Sequence, residues 1–225
     1  MQPNTPRQWS VYLRSAAEPV LADTPLCDLT PHAECVHRFI ESFTDERGDR
    51  RPVDRPLLAW LLNTHPGPAP TDATSVDLRL WWALHNDAPI DDAIADPSGP
   101  ILGEHAFRSC AVETTPETEL AALHALWHHA RREPGWKTRC LDAARWHIEM
   151  LQPDNATNHP WAVHVFVQLA LAERDPIHAA NARLHAETLV HNALVASGRP
   201  DRFSACLLLD AARALGDTHI DTGGS

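Results

Sequence analysis

One stretch of the chain, residues 160–170, is apolar almost all round, as a helix buried on every side must be. His164 and Gln168 are its clearly polar side chains, and their spacing of four residues places them on one face with Trp161. This pattern predicts a central helix that carries a small polar stripe into the interior of the protein.

The histidine of this stretch recurs at a nearly constant interval. His85, His124 and His164 are separated by 39 and 40 residues, and a further 40 residues lead to Ser204 in another apolar segment. A period of about 40 residues is typical of stacked two-helix units. The predicted fold class is therefore all-α, with helical hairpins of about 40 residues that form an α-solenoid or a closed α/α toroid.

A second pattern is amphipathic and recurs after 38 residues. Segments 144–151 and 182–189 share alanine, arginine, histidine, glutamate and leucine at matching positions. On a helix, His147 and His185 fall on the apolar stripe, whereas the arginine and the glutamate fall on another face. We therefore expect two buried histidines in an outer layer of helices, around an inner layer formed by the apolar segments.

Proline and glycine clusters divide the chain into predicted elements. Residues 1–29 show no sustained period and are expected to form an irregular arm, followed by a single domain over 30–215 and a frayed tail over 216–225. The predicted helices span residues 31–44, 55–64, 75–86, 101–110, 115–132, 137–152, 158–173, 177–196 and 201–215, with one further helical turn at 90–94.

The layout of these repeats resembles the α/α-toroid proteins, which include terpene-cyclase and prenyltransferase-like rings and six-hairpin glycosidases. The resemblance covers residues 75–215 and implies that inner helices line a central pocket. The sequence contains neither an Asp-x-Asp-Asp run nor a Gln…Trp repeat, the signatures of such enzymes. No catalytic residue is therefore carried over from the resemblance.

Composition and charge narrow the function classes. The formal net charge of −11 and the lack of a Lys/Arg cluster argue against a nucleic-acid partner. No segment approaches the apolar length of a membrane span or of a secretory signal. The five cysteines form no C-x-x-C motif, which favours free thiols in a reducing compartment. We expect a cytoplasmic protein with no nucleic-acid partner and no membrane partner.

The richest polar segment, residues 152–159, leads into the predicted central helix. If it overhangs the open end of the inner layer, its side chains border a ligand pocket. The candidate catalytic residues are then Asp154, His159 and His164. The candidate ligand-binding residues are Asn155, Trp161 and Gln168. The alternative is a capped turn, in which Thr157 or Asn158 caps the following helix.

The histidines provide a second candidate chemistry. His124 and His128 are four residues apart, the spacing with which one helix offers two metal ligands. Together with His164 they are the candidate metal ligands, since a complete site needs three or four. The alternative is that each histidine is buried, neutral and hydrogen-bonded to a neighbour or to the backbone.

Three functions follow from these patterns. The sequence favours a helical-repeat binding or interaction module that holds a protein or small-molecule ligand in a polar pocket at the ends of the inner helices. The first alternative is an α/α-toroid-type enzyme that acts on a carbohydrate or isoprenoid-like substrate. The second is a metal-binding protein that uses the histidine ladder, our name for the regularly spaced His85, His124 and His164. The sequence specifies no cofactor and leaves open whether the protein is an enzyme.

Overall fold

The computed structural model describes residues 3–70, 75–90, 94, 98–103, 114–150 and 158–216. Within these residues the fold consists of nine α-helices and no strand, which confirms the predicted all-α class. In chain order the helices are α1 (Pro6–Leu21), α2 (Ala33–Ser42), α3 (Asp54–Leu61), α4 (Val76–Asn86), α5 (Thr114–Arg132), α6 (Trp136–Met150), α7 (Val163–Ala172), α8 (Pro176–Val195) and α9 (Arg202–Gly216).

The helices α2 to α9 correspond to eight of the predicted helices. Local signals explain the agreement at α8, where Asp175 caps the amides of Ile177 and His178, and Pro176 occupies the first helical position. The predicted helix over 101–110 and the turn at 90–94 lie largely outside the described residues.

Helix α1 occupies most of the segment that was expected to be an irregular arm. Thr5 accepts a hydrogen bond from the Gln8 amide, and the Gln8 side chain accepts one from the Thr5 amide, so a capping box starts the helix at Pro6. The prolines suggested irregular structure, but a proline in the first turn of a helix costs no hydrogen bond. Leu13 is fully buried, and α1 packs against α9.

Helices α7 and α9 form the centre of the molecule. Consecutive helices pack against one another from α4 to α8, and α9 lies against α1, α3 and α7. Helix α9 is buried along nearly its whole length, and α7 is buried from Val163 to Leu169 apart from the half-buried Gln168, whereas its last residues are exposed. The prediction that these two apolar segments form buried helices is therefore confirmed.

Helices α6 and α8 bury the histidines of the second pattern, as predicted. His147 on α6 is 0 % exposed and His185 on α8 is 1 % exposed. Arg145 lies on another face of α6, where it bonds Glu173 at 2.5 Å and Asp142. The amphipathic pattern thus identified the buried face of both helices.

Candidate metal centre and the adjoining cavities

Three histidines and one aspartate meet in the centre of the molecule. His124 and His128 lie one turn apart on α5, His164 lies in the first turn of α7, and Asp210 lies on α9. Their exposed fractions are 0 %, 2 %, 0 % and 2 %, respectively. We call this set the histidine–aspartate cluster.

Asp210 is the member of the cluster that the sequence analysis missed. Its Oδ2 accepts hydrogen bonds from Nε2 of His124 at 2.7 Å and from Nε2 of His128 at 2.6 Å. The signal was present in the sequence, because Asp210 stands between three leucines and two alanines. A carboxylate in such a buried run requires partners, since an unpaired buried charge is very costly.

The backbone fixes the protonation of His124. The amide N–H of Ala162 donates to His124 Nδ1 at 3.1 Å, so the proton of the neutral ring is on Nε2, which donates to Asp210. Ala162 adopts a left-handed backbone conformation, with φ of 54°, at the residue before α7. His124 is therefore held between a strained turn and a buried carboxylate.

His164 and His128 make fewer hydrogen bonds than His124 does. Both ring nitrogens of His164, and Nδ1 of His128, have no hydrogen-bond partner among the described residues. Each of the three histidines places one ring nitrogen within 4.8 Å of the others. The centroid of the His164 ring lies 4.4 Å from that of His124 and 5.7 Å from that of His128.

Four indole rings enclose the cluster. The contacts, measured between ring centroids, are Trp60 to His128 at 4.9 Å, Trp81 to His124 and to His128 at 5.8 Å each, Trp161 to His124 at 5.5 Å, and Trp127 to His164 at 6.2 Å. These apolar walls lower the local dielectric and strengthen every electrostatic interaction inside them.

The enclosure determines the charges of the cluster. Burial raises the pKa of Asp210, but the charges and hydrogen bonds of His128 and His124 outweigh it and hold the pKa well below its usual range. Burial lowers the pKa of His124 even though Asp210 opposes this. Burial, followed by the neighbouring His124 and His128, lowers the pKa of His164 well below its usual range. At neutral pH the cluster thus contains a carboxylate beside the neutral imidazoles of His124 and His164.

The other members of the histidine ladder bond elsewhere. Nε2 of His85 lies 2.7 Å from the carbonyl oxygen of Pro56, and burial lowers the pKa of this histidine. The centroid of the His85 ring lies 6.2 Å from that of Trp60, and Trp60 in turn contacts His128 of the cluster. Ser204, at the fourth position of the repeat, contacts His159. His85 and His124 therefore match the hydrogen-bonded alternative, whereas His164 does not.

The predicted catalytic residues lie in different places. His164 belongs to the enclosed cluster, His159 borders a cavity at the surface, and Asp154 lies outside the described residues, as does the ligand-binding candidate Asn155. Gln168 lies one turn beyond His164 on α7, and its Nε2 has no hydrogen-bond partner in the described part of the chain. The structure therefore does not bring His159 and His164 into one site.

His159 bridges an arginine and a helix start. Its Nε2 lies 3.1 Å from Nη2 of Arg51, which can only donate, so Nδ1 carries the proton and donates to Oγ of Ser204 at 3.0 Å. The Ser204 hydroxyl in turn donates to Asp201 at 3.0 Å. Burial lowers the pKa of His159, against the opposing charges of Glu117 and Asp201. Ser204 thus donates away from His159, which is the reverse of an activated serine nucleophile.

Trp161 separates this surface group from the cluster. Its ring lies 5.5 Å from His124 on one side and 5.4 Å from Phe203 on the other, and Phe203 lies 5.0 Å from His159. The capped-turn alternative required Asn158 or Thr157 at the start of the helix. Helix α7 instead follows Ala162 and has no side-chain cap, and Thr157 lies outside the described residues.

Two cavities flank Arg51. The larger has a volume of about 400 Å³ and is bordered by charged side chains that include those of Asp45, Arg51, His159 and Asp201. The smaller, which we call the tryptophan cavity, has a volume of about 320 Å³. Its polar border contains Arg51, Asp77 and Glu117, and its apolar border contains Val53, Leu78, Ala121 and Trp161.

In comparisons with protein-family models, curated proteins and solved structures, nothing matches this chain. None of the described helices is long and apolar enough to cross a membrane.

Proposed function

We propose that this protein binds one divalent transition-metal ion through His128, His164 and Asp210, with His124 as the residue that orients Asp210. The observation that carries the proposal is the convergence of three histidine nitrogens beside one buried carboxylate. Histidine nitrogen and carboxylate oxygen are the donors that Zn²⁺ and Fe²⁺ share.

The hydrogen bonds indicate which residues of the cluster can bind the ion and which residue only orients a ligand. In His124 the Nδ1 lone pair is occupied by the Ala162 amide and Nε2 carries the proton, so this ring has no lone pair for an ion and keeps its bond to Asp210. Hydrogen bonds of this kind orient the ligands of many metal sites. His128 can carry its proton on Nδ1, which has no hydrogen-bond partner among the described residues, so that Nε2 presents a lone pair beside Asp210. Both ring nitrogens of His164 lack partners in the described part of the chain, so either can present a lone pair.

Charge favours a cation at this position. Asp210 is a buried carboxylate among apolar rings, and a divalent ion compensates its charge better than a neutral imidazole does. In a tetrahedral zinc site, ligand atoms are about 3.3 Å apart. The ring nitrogens of the three histidines lie within 4.8 Å of one another, and Oδ2 of Asp210 lies 2.6 Å from Nε2 of His128, so ion binding requires small movements of these side chains.

An unpaired nitrogen alone does not distinguish this cluster. His147 and His185 also have ring nitrogens without hydrogen-bond partners among the described residues. Neither of them belongs to a group whose ligand atoms converge. These two histidines are therefore suitable negative controls.

Metal content measured by mass spectrometry tests the proposal. We expect about one ion per wild-type chain. The conservative variants H128Q, H164Q and D210N should lose the ion, whereas H185Q should retain it. H124Q should bind about 10- to 100-fold more weakly, as is usual when a supporting hydrogen bond is removed. Circular dichroism would show that each variant remains helical.

Two results would overturn this function. One is a wild-type protein without stoichiometric metal after dialysis against Zn²⁺ and, under anaerobic conditions, against Fe²⁺. The other is equal loss of metal from H185Q and H164Q, because the ion would then depend on general packing and not on the cluster.

The second candidate function is the one that the sequence favoured, a binding module with a polar pocket at the ends of the inner helices. The two cavities beside Arg51, with His159 and Trp161 on their borders, support it. The 40-residue repeat, its closure into a toroid, and the enzyme acting on a carbohydrate or isoprenoid-like substrate remain predictions. Ser204 beside His159 is not placed as an activated nucleophile for such an enzyme, because its hydroxyl donates to Asp201.

A further inference from the structure

Two residues on the border of the tryptophan cavity carry polar atoms of opposite kinds that lack partners among the described residues. Nη1 of Arg51 is a buried donor, and Oδ1 of Asp77 is a buried acceptor, and neither has a hydrogen-bond partner among the residues that the structure describes. Both residues border the same space of about 320 Å³. A buried polar group without a partner costs about 1–3 kcal/mol, so a ligand that satisfies both is favoured.

The acidic side of the cavity fits a cation. Glu117 borders the cavity near Asp77, and one of its oxygens accepts a bond from Nε1 of Trp161 at 3.3 Å. Burial raises the pKa of Asp77, and the Glu117 charge contributes further to this rise. An ammonium group beside the two carboxylates would relieve their repulsion.

The basic side of the cavity fits a carboxylate. Arg51 bonds Asp45 and His159 through Nη2, whereas the N–H groups of its buried Nη1 have no hydrogen-bond partner among the described residues. Phe203 lies under the guanidinium, 4.2 Å from its central carbon, and fixes its plane. A planar guanidinium held in this way is well suited to a carboxylate ligand.

The remaining border is apolar. Val53, Leu78, Ala121 and Trp161 are all buried residues that border this cavity. A cavity of this volume, lined by apolar groups with a few fixed polar groups, has the character of a small-molecule site.

We infer that the tryptophan cavity binds a small zwitterion, an α-amino acid with an apolar side chain. Its carboxylate bonds Arg51, its ammonium group bonds Asp77 and Glu117, and its side chain packs on Trp161. The inference rests on the second candidate function, ligand binding beside Arg51, and uses none of the proposed metal ligands.

Calorimetric titration with matched probes tests the inference. L-Leucine carries both charges, 3-methylbutylamine is the same molecule without the carboxylate, and 4-methylpentanoate is the same molecule without the ammonium group. L-Phenylalanine, with its two corresponding analogues, covers a larger side chain. We expect at least one amino acid to bind, and removal of either charge to weaken binding by about tenfold or more.

The variant D77N tests the acidic side. Its near-identical shape preserves packing, and it should weaken binding of the amino acid without weakening that of the deaminated analogue. D142N replaces an aspartate of α6 that pairs with Arg145 and does not border the cavity, so this control should bind as the wild type does. The probe series on the wild-type protein remains decisive if D77N does not fold.

Two outcomes would overturn the inference. An analogue with one charge that binds as tightly as its amino acid would exclude a zwitterion site. No binding of either amino acid up to about 10 mM by a folded protein would exclude this ligand class, since a specific site should bind more tightly. Metal content is measured in a separate experiment. A failure to bind amino acids would therefore not contradict the metal centre, and an absence of metal would not contradict the amino-acid site.

Discussion

At the scale of single residues, the most informative groups are polar side chains in apolar surroundings. The sequence identified His124, His128 and His164, because a polar residue within an apolar helix is conspicuous. It did not identify Asp210 as their partner, because the contacts join residues that are 82 and 86 positions apart. A sequence pattern reveals that a buried charge needs a partner but not which helix supplies it.

His185 provides a residue-scale prediction about pH. Burial lowers its pKa from 6.5 to about 4, so it is neutral in the folded protein, while the unfolded chain takes up a proton below pH 6.5. The contribution of neutral His185 to the free energy of unfolding is complete above pH 6.5 and is lost as the pH falls through about 4. We expect H185Q to remove roughly 3 kcal/mol of the acid-induced fall in unfolding free energy.

Urea denaturation between pH 7 and pH 4 would measure this effect. H191Q, on the exposed side of the same helix, is the matched control and should show the wild-type pH dependence. An H185Q protein whose unfolding free energy falls as steeply as that of the wild type would show that His185 is not held neutral by burial.

At the scale of helices, the sequence was most successful where local signals mark both ends. Helix α5 carries Glu117 in its first turn and Arg131 and Arg132 in its last, as the helix dipole favours. Helix α7 was predicted to begin near residue 158 but begins at Val163. The Ala162 amide bonds His124 instead of joining the helix, and this long-range contact has no local signal.

Helix α1 provides an element-scale prediction. Leu13 is 0 % exposed, so L13A should reduce the unfolding free energy by about 2–5 kcal/mol through lost burial and the cavity left behind. V11A, on the same helix at a position that is 62 % exposed, should change it by less than about 0.5 kcal/mol. Chemical denaturation of both variants gives the comparison. Similar small losses would mean that α1 is only loosely docked, as the predicted irregular arm would be.

At the scale of the whole molecule, helix identity could be predicted but packing could not. The N-terminal helix α1 packs against the C-terminal helix α9, and Ser10 donates a hydrogen bond to the carbonyl oxygen of Ala212 at 2.6 Å. The repeat pattern predicts contacts between neighbouring units and contains no information on this one. The site at the centre depends on it, because α9 carries Asp210.

The metal proposal has a whole-molecule consequence for stability. The cluster joins α5, α7 and α9, so an ion there binds the folded chain and not the unfolded one. At a free ion concentration about 1,000 times the Kd, it adds roughly 4 kcal/mol. Removal by a chelator should therefore lower Tm by about 8–16 °C, as measured by calorimetry.

D210N is the internal control for this experiment, because a protein without the ion has nothing for the chelator to remove. Its Tm should be the same with and without chelator. A wild-type Tm that does not respond, in protein shown to contain the ion, would place that ion outside the core.

The strained turn at Ala162 connects the two proposed sites. Its amide holds His124, the residue that orients Asp210, while the preceding Trp161 forms a wall of the tryptophan cavity. An ion that fixes His124 also fixes the wall against which an amino acid would pack. Linkage of this kind is reciprocal, so the factor by which the ion tightens amino-acid binding is the factor by which the amino acid tightens ion binding. A molecule built in this way would bind the ion more tightly when the amino acid is abundant.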